Sequence, residues 1–87
     1  MYTIEVSELA DGKFYKIAKK NKVLFEAINK KIEEIKINPE HFKPLRGQMK
    51  GERRVHFGHF VMTFEINYTK KIVKILDFDH HDKIYRK

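Results

Sequence analysis

The chain contains no cysteine, and this absence removes several kinds of chemistry at once. Without thiols there is no disulfide, no thiolate nucleophile and no cysteine-ligated zinc site. A long apolar run is also missing, and the first 20 residues carry acids and lysines where a secretion signal needs an apolar segment. We therefore expect a soluble protein of the reducing cytoplasm that does not enter a membrane.

The length and charge of the chain indicate how many domains it has and which kinds of partner it attracts. The 87 residues fit one compact domain, so we treat residues 1–87 as a single unit. Hydrophobic residues make up 41%, which is typical of a folded chain. The 19 Lys and Arg exceed the 12 Asp and Glu, and the formal charge of +7 attracts polyanions. Nucleic acid and acidic protein partners are both favoured, although lysine-rich surfaces are also common in thermophile proteins.

The first half of the chain predicts one strand and two helices. Residues 1–6 alternate apolar and polar side chains, the pattern of a half-buried strand, and Ser7 suits the N-cap of a helix that runs to Lys20. After Asn21, a longer helix begins at Lys22 and ends before Pro39. The inward side chains predicted for the strand and the two helices are Tyr2, Ile4 and Val6; Leu9, Phe14, Ile17 and Ala18; and Leu24, Ile28, Ile32 and Ile35.

The second half predicts a loop followed by three strands. Residues 40–51 follow no sustained period and read as a loop whose Phe42 and Leu45 turn inward. Residues 53–57, 60–68 and 71–78 alternate as strands, with hairpin turns at 58–59 and 68–70. One face of the middle strand comprises Phe60, Met62, Phe64, Ile66 and Tyr68. The polar segment after these strands reads as a strand end or a tail beside the sheet, with Tyr85 buried. The result is an α+β fold of order β-α-α-β-β-β, with two helices packed on a mostly antiparallel sheet.

Four segments stand in a recognisable order and spacing. The loop KPLRG at 43–47 precedes RRVHFG at 53–58, then FVMTFEI at 60–66, and the ending HHDKIYR at 80–86. Together with the order of elements, these segments resemble the RelE/ParE superfamily of toxins from type II toxin–antitoxin pairs, and in particular its RelE-like members. The resemblance covers essentially the whole chain and implies the fold described above.

The resemblance implies a toxin that stops translation by cleaving mRNA on the ribosome without a metal ion or other cofactor. In such enzymes the 2′-hydroxyl of the substrate attacks its adjacent phosphate, so the protein supplies cations and proton-transfer groups. Strand alternation places Arg54 and His56 on one face, away from Val55 and Phe57. The catalytic residues implied are His81, Tyr85, Arg54 and His56. The RNA-binding residues implied are Arg46, Lys50, Arg53, His59, His80 and Arg86.

Two positions depart from the family pattern. Val61 stands where the family strand often has an arginine, and His81 stands where the ending usually reads His-Arg. In relatives that cleave mRNA, arginines at these places stabilise phosphate charge, so histidine here implies different chemistry. One alternative is a toxin of the ParE branch, which acts on DNA gyrase, and another is an RNA-binding relative with altered or no catalysis. A metal site at residues 80–82 is disfavoured because adjacent residues on an extended chain point apart.

The resemblance also implies partners. Family toxins are wrapped by an extended, often acidic antitoxin that folds on binding, which a charge of +7 suits. We therefore expect a RelB-like antitoxin, a toxin–antitoxin hetero-oligomer, and the ribosome with its mRNA as the target. The basic residues on the strand have a simpler alternative explanation, since the outer side of a half-exposed sheet is normally polar.

Overall fold

The computed structural model describes residues 1–45 and 51–85. Helices and a sheet follow each other in the order β-α-α-β-β-β-α within this part of the chain. The elements are β1 Thr3–Val6, α1 Glu8–Lys20, α2 Lys22–Ile37, a 3-10 turn Pro39–His41, β2 Glu52–Phe57, β3 Phe60–Asn67, β4 Ile72–His80 and α3 His81–Ile84. None of the described helices combines the length and apolarity needed to cross a membrane.

The four strands form one sheet in the order β1-β4-β3-β2. The strands β2, β3 and β4 are an antiparallel meander, and β1 adds to β4 in parallel, from Thr3 opposite Ile72 to Val6 opposite Ile75. The two-residue turn between β2 and β3 begins with Gly58 at φ 60°. Glycine takes this left-handed conformation without steric cost, which allows the tight turn.

Side-chain caps start the two long helices, and the cap at Ser7 is the one that the sequence predicts. The hydroxyl of Ser7 accepts a hydrogen bond from the amide of Ala10 at 3.1 Å and donates one to the carbonyl of Leu76 at 2.6 Å. The side chain of Asn21 accepts from the amide of Leu24 at 3.1 Å and so starts α2 where α1 ends. Such caps satisfy backbone groups that have no partner within the helix. The Ser7 bond to Leu76 also attaches the start of α1 to β4.

The apolar core lies between the two helices and one face of the sheet. Phe64 is fully buried at its centre, edge-on to Phe42, while Phe78 contacts Phe14 of α1 and stacks on Phe60. The buried members are Ala10, Phe14, Ile28, Ile35, Val55, Met62, Phe64, Val73, Ile75 and Phe78. The inward orientation predicted for Phe42 and Leu45 is confirmed, since Phe42 packs on this core and Leu45 is buried.

Several details of the sequence-based expectation are wrong. Leu9 is 55% exposed and its neighbour Ala10 is buried instead, because the capped start of α1 turns that position toward β4. Val6 at the end of the short edge strand and Tyr68 beyond the end of β3 are also exposed. Apolar periodicity continues past the point where an element leaves the core, so it misassigns residues at element ends.

The end of the chain differs most from expectation. We expected a strand end or tail with Tyr85 buried, but β4 continues to His80 and then gives way to the short helix α3. Ile84, rather than Tyr85, is fully buried, and Tyr85 is half-buried. The side chain of His80 caps α3 by accepting from the amide of Asp82. α3 packs on β3 and β4, which turns the chain end back toward the sheet.

Candidate functional site

The site is built on the sheet face opposite the core. Val55 and Phe57 of β2 pack on the core, so Arg54 and His56 point to the other face, as the alternation predicts. We call this second surface the open face. Arg54 lies opposite Thr63 of β3, and His56 lies opposite Val61. The open face therefore presents a basic edge strand beside a buried central strand.

The helix α3 brings Tyr85 and His81 to the same face. A guanidinium nitrogen of Arg54 donates to the hydroxyl of Tyr85 at 2.8 Å, and the centres of the His81 and Tyr85 rings are 4.9 Å apart. The Nδ1 of His81 lies 3.2 Å from a carboxylate oxygen of Asp82. If Nδ1 carries the proton, it binds the carboxylate and leaves Nε2 for a substrate. The structure thus brings together residues that are 31 positions apart in the sequence.

His56 has the one resolved histidine pKa shift among the described residues. Partial desolvation lowers the pKa of His56 below its usual value, and the nearby charges of Arg54 and His81 lower it further. Each of these causes disfavours the protonated ring. His56 is therefore neutral near pH 7, the form that accepts a proton.

Two more predicted residues lie beside this group. The rings of His59 and His80 are stacked with their centres 6.0 Å apart. The rings of His80 and Phe60 are edge-on, with their centres 5.9 Å apart. The amide of His81 donates to the carbonyl of His59 at 2.7 Å, which joins the β2–β3 turn to the start of α3. These contacts place His59 and His80 at the same end of the sheet as His81.

The remaining predicted residues divide into two cases. Arg53 points away from Arg54, and its guanidinium donates to the carbonyls of Phe42 at 2.7 Å and Glu40 at 3.4 Å. This side chain holds the preceding loop, and a role in RNA binding stays a prediction. Arg46, Lys50 and Arg86 lie outside the described residues.

The open face also carries acids, which are neutralised by α1. Thr63 of β3 lies between Arg54 of β2 and Asp77 of β4, and Val61 lies in the same way between His56 and Asp79. Both aspartates are therefore on the open face. The ammonium group of Lys13 lies 2.7 Å from a carboxylate oxygen of Asp77 and 2.8 Å from one of Asp79. This cluster could not be predicted from the sequence, because Lys13 is 64 positions from Asp77 and no local motif links them.

Opposing effects set the pKa values within this cluster. Burial alone would lower the pKa of Lys13, but hydrogen bonds and charge attraction from the two aspartates raise it above the usual lysine value. Burial would raise the pKa of Asp79, but the bonds from Lys13 and the His80 amide lower it. Both shifts favour the ionised pair. In the described part of the chain, no three histidine or acidic side chains are arranged to hold a metal ion.

Comparison with known proteins assigns the family. The model of the "ParE toxin of type II toxin-antitoxin system, parDE" matches residues 4–85. A Methanocaldococcus jannaschii protein named "Putative toxin RelE4" is 43% identical over 88 residues, covering 100% of this chain and 94% of that protein. The chain belongs to the RelE/ParE superfamily of type II toxins. The resemblance inferred from the four sequence segments is thereby confirmed.

Solved structures show that the superfamily fold is also present. The "YoeB/ParE toxin from Agrobacterium tumefaciens" superposes with a TM-score of 0.83 at 14% identity, covering 91% of this chain and 98% of that one. A chain of the intact Escherichia coli RelBE toxin–antitoxin complex gives a TM-score of 0.76 at 20% identity, with 92% and 96% covered. The predicted α+β fold of the superfamily is therefore confirmed, and α3 is the element that the sequence-based prediction lacked.

Proposed function

We propose that this toxin inhibits translation as a metal-independent endoribonuclease that cleaves mRNA on the ribosome. One observation carries the proposal: Arg54, His56, His81 and Tyr85 converge on the open face although they come from two distant segments. A cation, a neutral imidazole, a second imidazole and a phenol within one small area supply the groups that phosphodiester transfer requires.

Arg54 is suited to the phosphate. Its guanidinium is permanently charged and offers several donors, and the hydroxyl of Tyr85 engages one of its nitrogens. Negative charge on the phosphate grows as the fifth oxygen bonds to phosphorus. A donor fixed toward that charge lowers the barrier, and loss of one such donor typically costs a factor of about 10²–10³ in rate.

The two histidines divide the proton transfers. His56, held neutral, accepts the proton of the 2′-hydroxyl as that oxygen bonds to the adjacent phosphorus. The bond from phosphorus to the 5′-oxygen then breaks, and His81 gives that oxygen a proton. The products are a 2′,3′-cyclic phosphate and a 5′-hydroxyl end, so atoms and charges balance without a metal ion. Tyr85 orients Arg54 and offers its ring for stacking on a base.

Val61 has a definite place in this scheme. It stands where the family strand often has an arginine, and it is fully buried in β3 opposite His56. An apolar residue there donates nothing to phosphate, so the charge must come from Arg54 and from the remaining cations. The neutral state of His56 is easier to keep beside Val61 than beside a second arginine.

The proposed partners follow from the family and the charge. We propose that a cognate antitoxin, RelB-like, acidic and extended, covers the open face in a hetero-oligomer, and that the toxin acts in the cytoplasm. The formal charge of +7 suits both an acidic antitoxin and ribosomal RNA. The toxin–antitoxin complex of Escherichia coli RelBE, which contains a chain of similar fold, supports an antitoxin as partner.

A second candidate is a ParE-branch toxin that acts on DNA gyrase. Two observations favour it: the matching family model is that of ParE toxins, and Val61 replaces an arginine of the mRNA-cleaving branch. The gyrase hypothesis does not require the convergence of Arg54, His56, His81 and Tyr85, so we rank it second.

The decisive experiment is translation of a defined message with purified ribosomes and the toxin, with RNA ends mapped by primer extension. We expect cuts that require ribosomes and persist in the presence of a chelator, because the ribosome is needed to present the message. Ribosomes need Mg²⁺ to stay intact, so the chelator must be selective for transition metals and leave Mg²⁺ in solution. Intact message with normal translation contradicts the proposal, and inhibition of gyrase supercoiling in a parallel assay would establish the second candidate.

A further inference from the structure

A groove runs beside the candidate site along the edge of β2 that faces away from β3. It has a volume of about 430 Å³, and Arg54 and His56 form its wall toward the open face. The opposite side is formed by Lys31 of α2 and by the segment around the 3-10 turn, with His41, Phe42 and Lys43. The groove is thus continuous with the proposed catalytic group but extends away from it.

The groove is held by backbone pairing rather than by a loose loop. The amide of Arg54 donates to the carbonyl of Lys43 at 3.1 Å, and the amide of Leu45 donates to the carbonyl of Glu52 at 2.7 Å. Pro44 forms an antiparallel bridge with Arg53 between these two bonds. The segment therefore lies along β2 like a short fifth strand, which fixes Lys43 next to Arg54.

Side chains hold the same segment from its other end. The guanidinium of Arg53 binds the carbonyls of Phe42 and Glu40, and the ring of Phe42 is edge-on both to His41 at 5.3 Å and to buried Phe64 at 6.0 Å. Because these contacts are already made, His41 and Lys43 need little ordering when a ligand binds.

The charge of the groove is of one sign. Its described lining includes Lys31, Lys43, Arg54 and two histidines, and none of its described residues is acidic. Hollows elsewhere on the described surface include acids, with Glu34 in two of them and both Glu5 and Glu65 in another. Lys31 has a partner in Glu34 at 3.4 Å, but both side chains are exposed and such a pair contributes at most about 1 kcal/mol. A phosphate can replace Glu34 at little cost.

We propose that this groove binds backbone phosphates of the single-stranded RNA that enters or leaves the catalytic group, with Lys31 and Lys43 as phosphate ligands. The identity of the strand rests on the proposed function. RNA is favoured over an acidic peptide because the groove begins at the proposed scissile phosphate, so a strand held there has to continue into neighbouring space. His41 is exposed and lines the same groove, so it adds a ring on which a base can stack.

Binding of a short, uniformly labelled, single-stranded RNA without a 2′-hydroxyl at the reacting positions tests the proposal without ribosomes or cleavage. Fluorescence anisotropy at several salt concentrations compares the wild-type chain, Lys31→Gln/Lys43→Gln, and the control Lys20→Gln/Lys22→Gln. The control removes the same charge at the exposed junction of α1 and α2, away from the groove. Circular dichroism and thermal unfolding check that all three chains are folded.

Loss of two phosphate contacts should reduce the slope of log affinity against log salt by about 1.4. At ~0.1 M salt this corresponds to roughly 5- to 25-fold weaker binding, the lower figure allowing for the Glu34 pair. The control should retain nearly wild-type affinity. Equal losses in the two double variants, or no RNA binding by the wild-type chain, overturn the groove assignment.

Two further arms separate this inference from others. If the groove variant binds RNA normally but binds the cognate antitoxin less tightly, the occupant is the antitoxin and the proposal is wrong. Ribosome-dependent cleavage is measured separately on wild-type protein. RNA binding that depends on the groove, together with absence of cleavage, supports the groove while rejecting the nuclease. Cleavage by the wild-type protein, together with RNA binding that does not depend on the groove, supports the nuclease and rejects the groove assignment.

Discussion

The two faces of the sheet differ in burial and in charge although they share the same strands. On the core face, Phe64 and Met62 of β3 are fully buried between the helices and β2 carries Val55. On the open face, the neighbouring residues Arg54 and His56 reach the surface, and the short α3 adds Tyr85 and His81. The core face determines whether the chain folds, whereas the open face carries groups whose loss should affect activity.

Val61 and Thr63 are buried although they point away from the core. Both lie on the central strand β3, and α3 packs on β3 and β4 at this side. The open face is therefore dry along its middle and polar along its β2 edge. Cations next to a dry surface act more strongly on a bound phosphate than cations surrounded by water.

The largest effect is expected from removing the centre of the core face. Phe64→Ala should lower the free energy of unfolding by about 3–5 kcal/mol, because it removes a fully buried ring and leaves a cavity. Urea denaturation followed by circular dichroism measures the change. Phe64→Leu, which retains most of the buried apolar volume, should lose clearly less. Equal stability of Phe64→Ala and wild type would contradict the assigned core.

The next effect contrasts two adjacent arginines. Arg54→Gln should reduce ribosome-dependent cleavage by a factor of about 10²–10³, because it removes the cation that binds the phosphate. It should change stability little, because the side chain gives up a single hydrogen bond to the half-buried Tyr85 hydroxyl. Arg53→Gln should instead lower the free energy of unfolding by about 1–2 kcal/mol, because it breaks bonds to two carbonyls of the preceding loop. Cleavage rates and urea midpoints of both variants are the measurement. If the two variants behave alike, the assignment of opposite faces is wrong.

Removing the ion pairs between α1 and the open face should have an intermediate effect on the free energy of unfolding. Lys13→Met removes the cation between Asp77 and Asp79, and the side chain of Asp77 is only 5% exposed. We expect a loss of about 1–3 kcal/mol in the free energy of unfolding. Weaker RNA binding should accompany it, because two carboxylates then face the phosphate. Lys16→Met, on an exposed position of the same helix, is the control.

The same cluster predicts a pH dependence with a definite sign. The lowered pKa of Asp79 stabilises the fold above the ordinary carboxyl pKa, and this contribution is lost as pH falls through the lowered value. The raised pKa of Lys13 stabilises the fold below its ordinary value and is lost as pH rises through the raised one. The stability difference between wild type and Lys13→Met should thus be constant near neutrality and shrink in acid. A difference that grows in acid would contradict the ion-pair explanation.

A smaller effect concerns the protonation of His56. Arg54→Gln removes a positive charge that disfavours protonated His56, so the pKa of His56 should rise toward its ordinary value. NMR titration of the imidazole protons in both proteins measures this rise. Arg53→Gln, whose lost charge lies on the other side of the strand, should change the titration less. A fall in the His56 pKa of Arg54→Gln would show that the two groups do not interact as described.

The smallest effect is expected at Thr63. Its hydroxyl is buried and has no hydrogen-bond partner among the described residues. Thr63→Val keeps the shape and removes a polar atom, so the free energy of unfolding should change by less than about 1 kcal/mol, with a gain in stability as the favoured direction. Thr63→Ser, which keeps the hydroxyl and removes a methyl group, should be less stable than Thr63→Val. The opposite order in thermal unfolding would indicate a partner for the hydroxyl.

The sequence by itself determined the order of elements from β1 to β4 and the family. Alternation assigned Arg54 and His56 to the side opposite Val55, and Ser7 was placed at the start of the first helix, because both inferences depend only on nearby residues. Four short segments in order were sufficient for the superfamily, which the family match confirmed. Helix capping and side-chain alternation depend on residues that are close together in the sequence, so a single sequence is enough to predict them.

Only the tertiary structure decided which distant residues meet. The bond of Arg54 to Tyr85, the position of Lys13 between Asp77 and Asp79, and the orientation of Arg53 onto the carbonyl of Phe42 each join separate elements. The short helix α3 was likewise missed, because its four residues contain too little periodicity and depend on packing against β3 and β4. Such contacts arise when the sheet brings strands together, and no spacing along the chain encodes them.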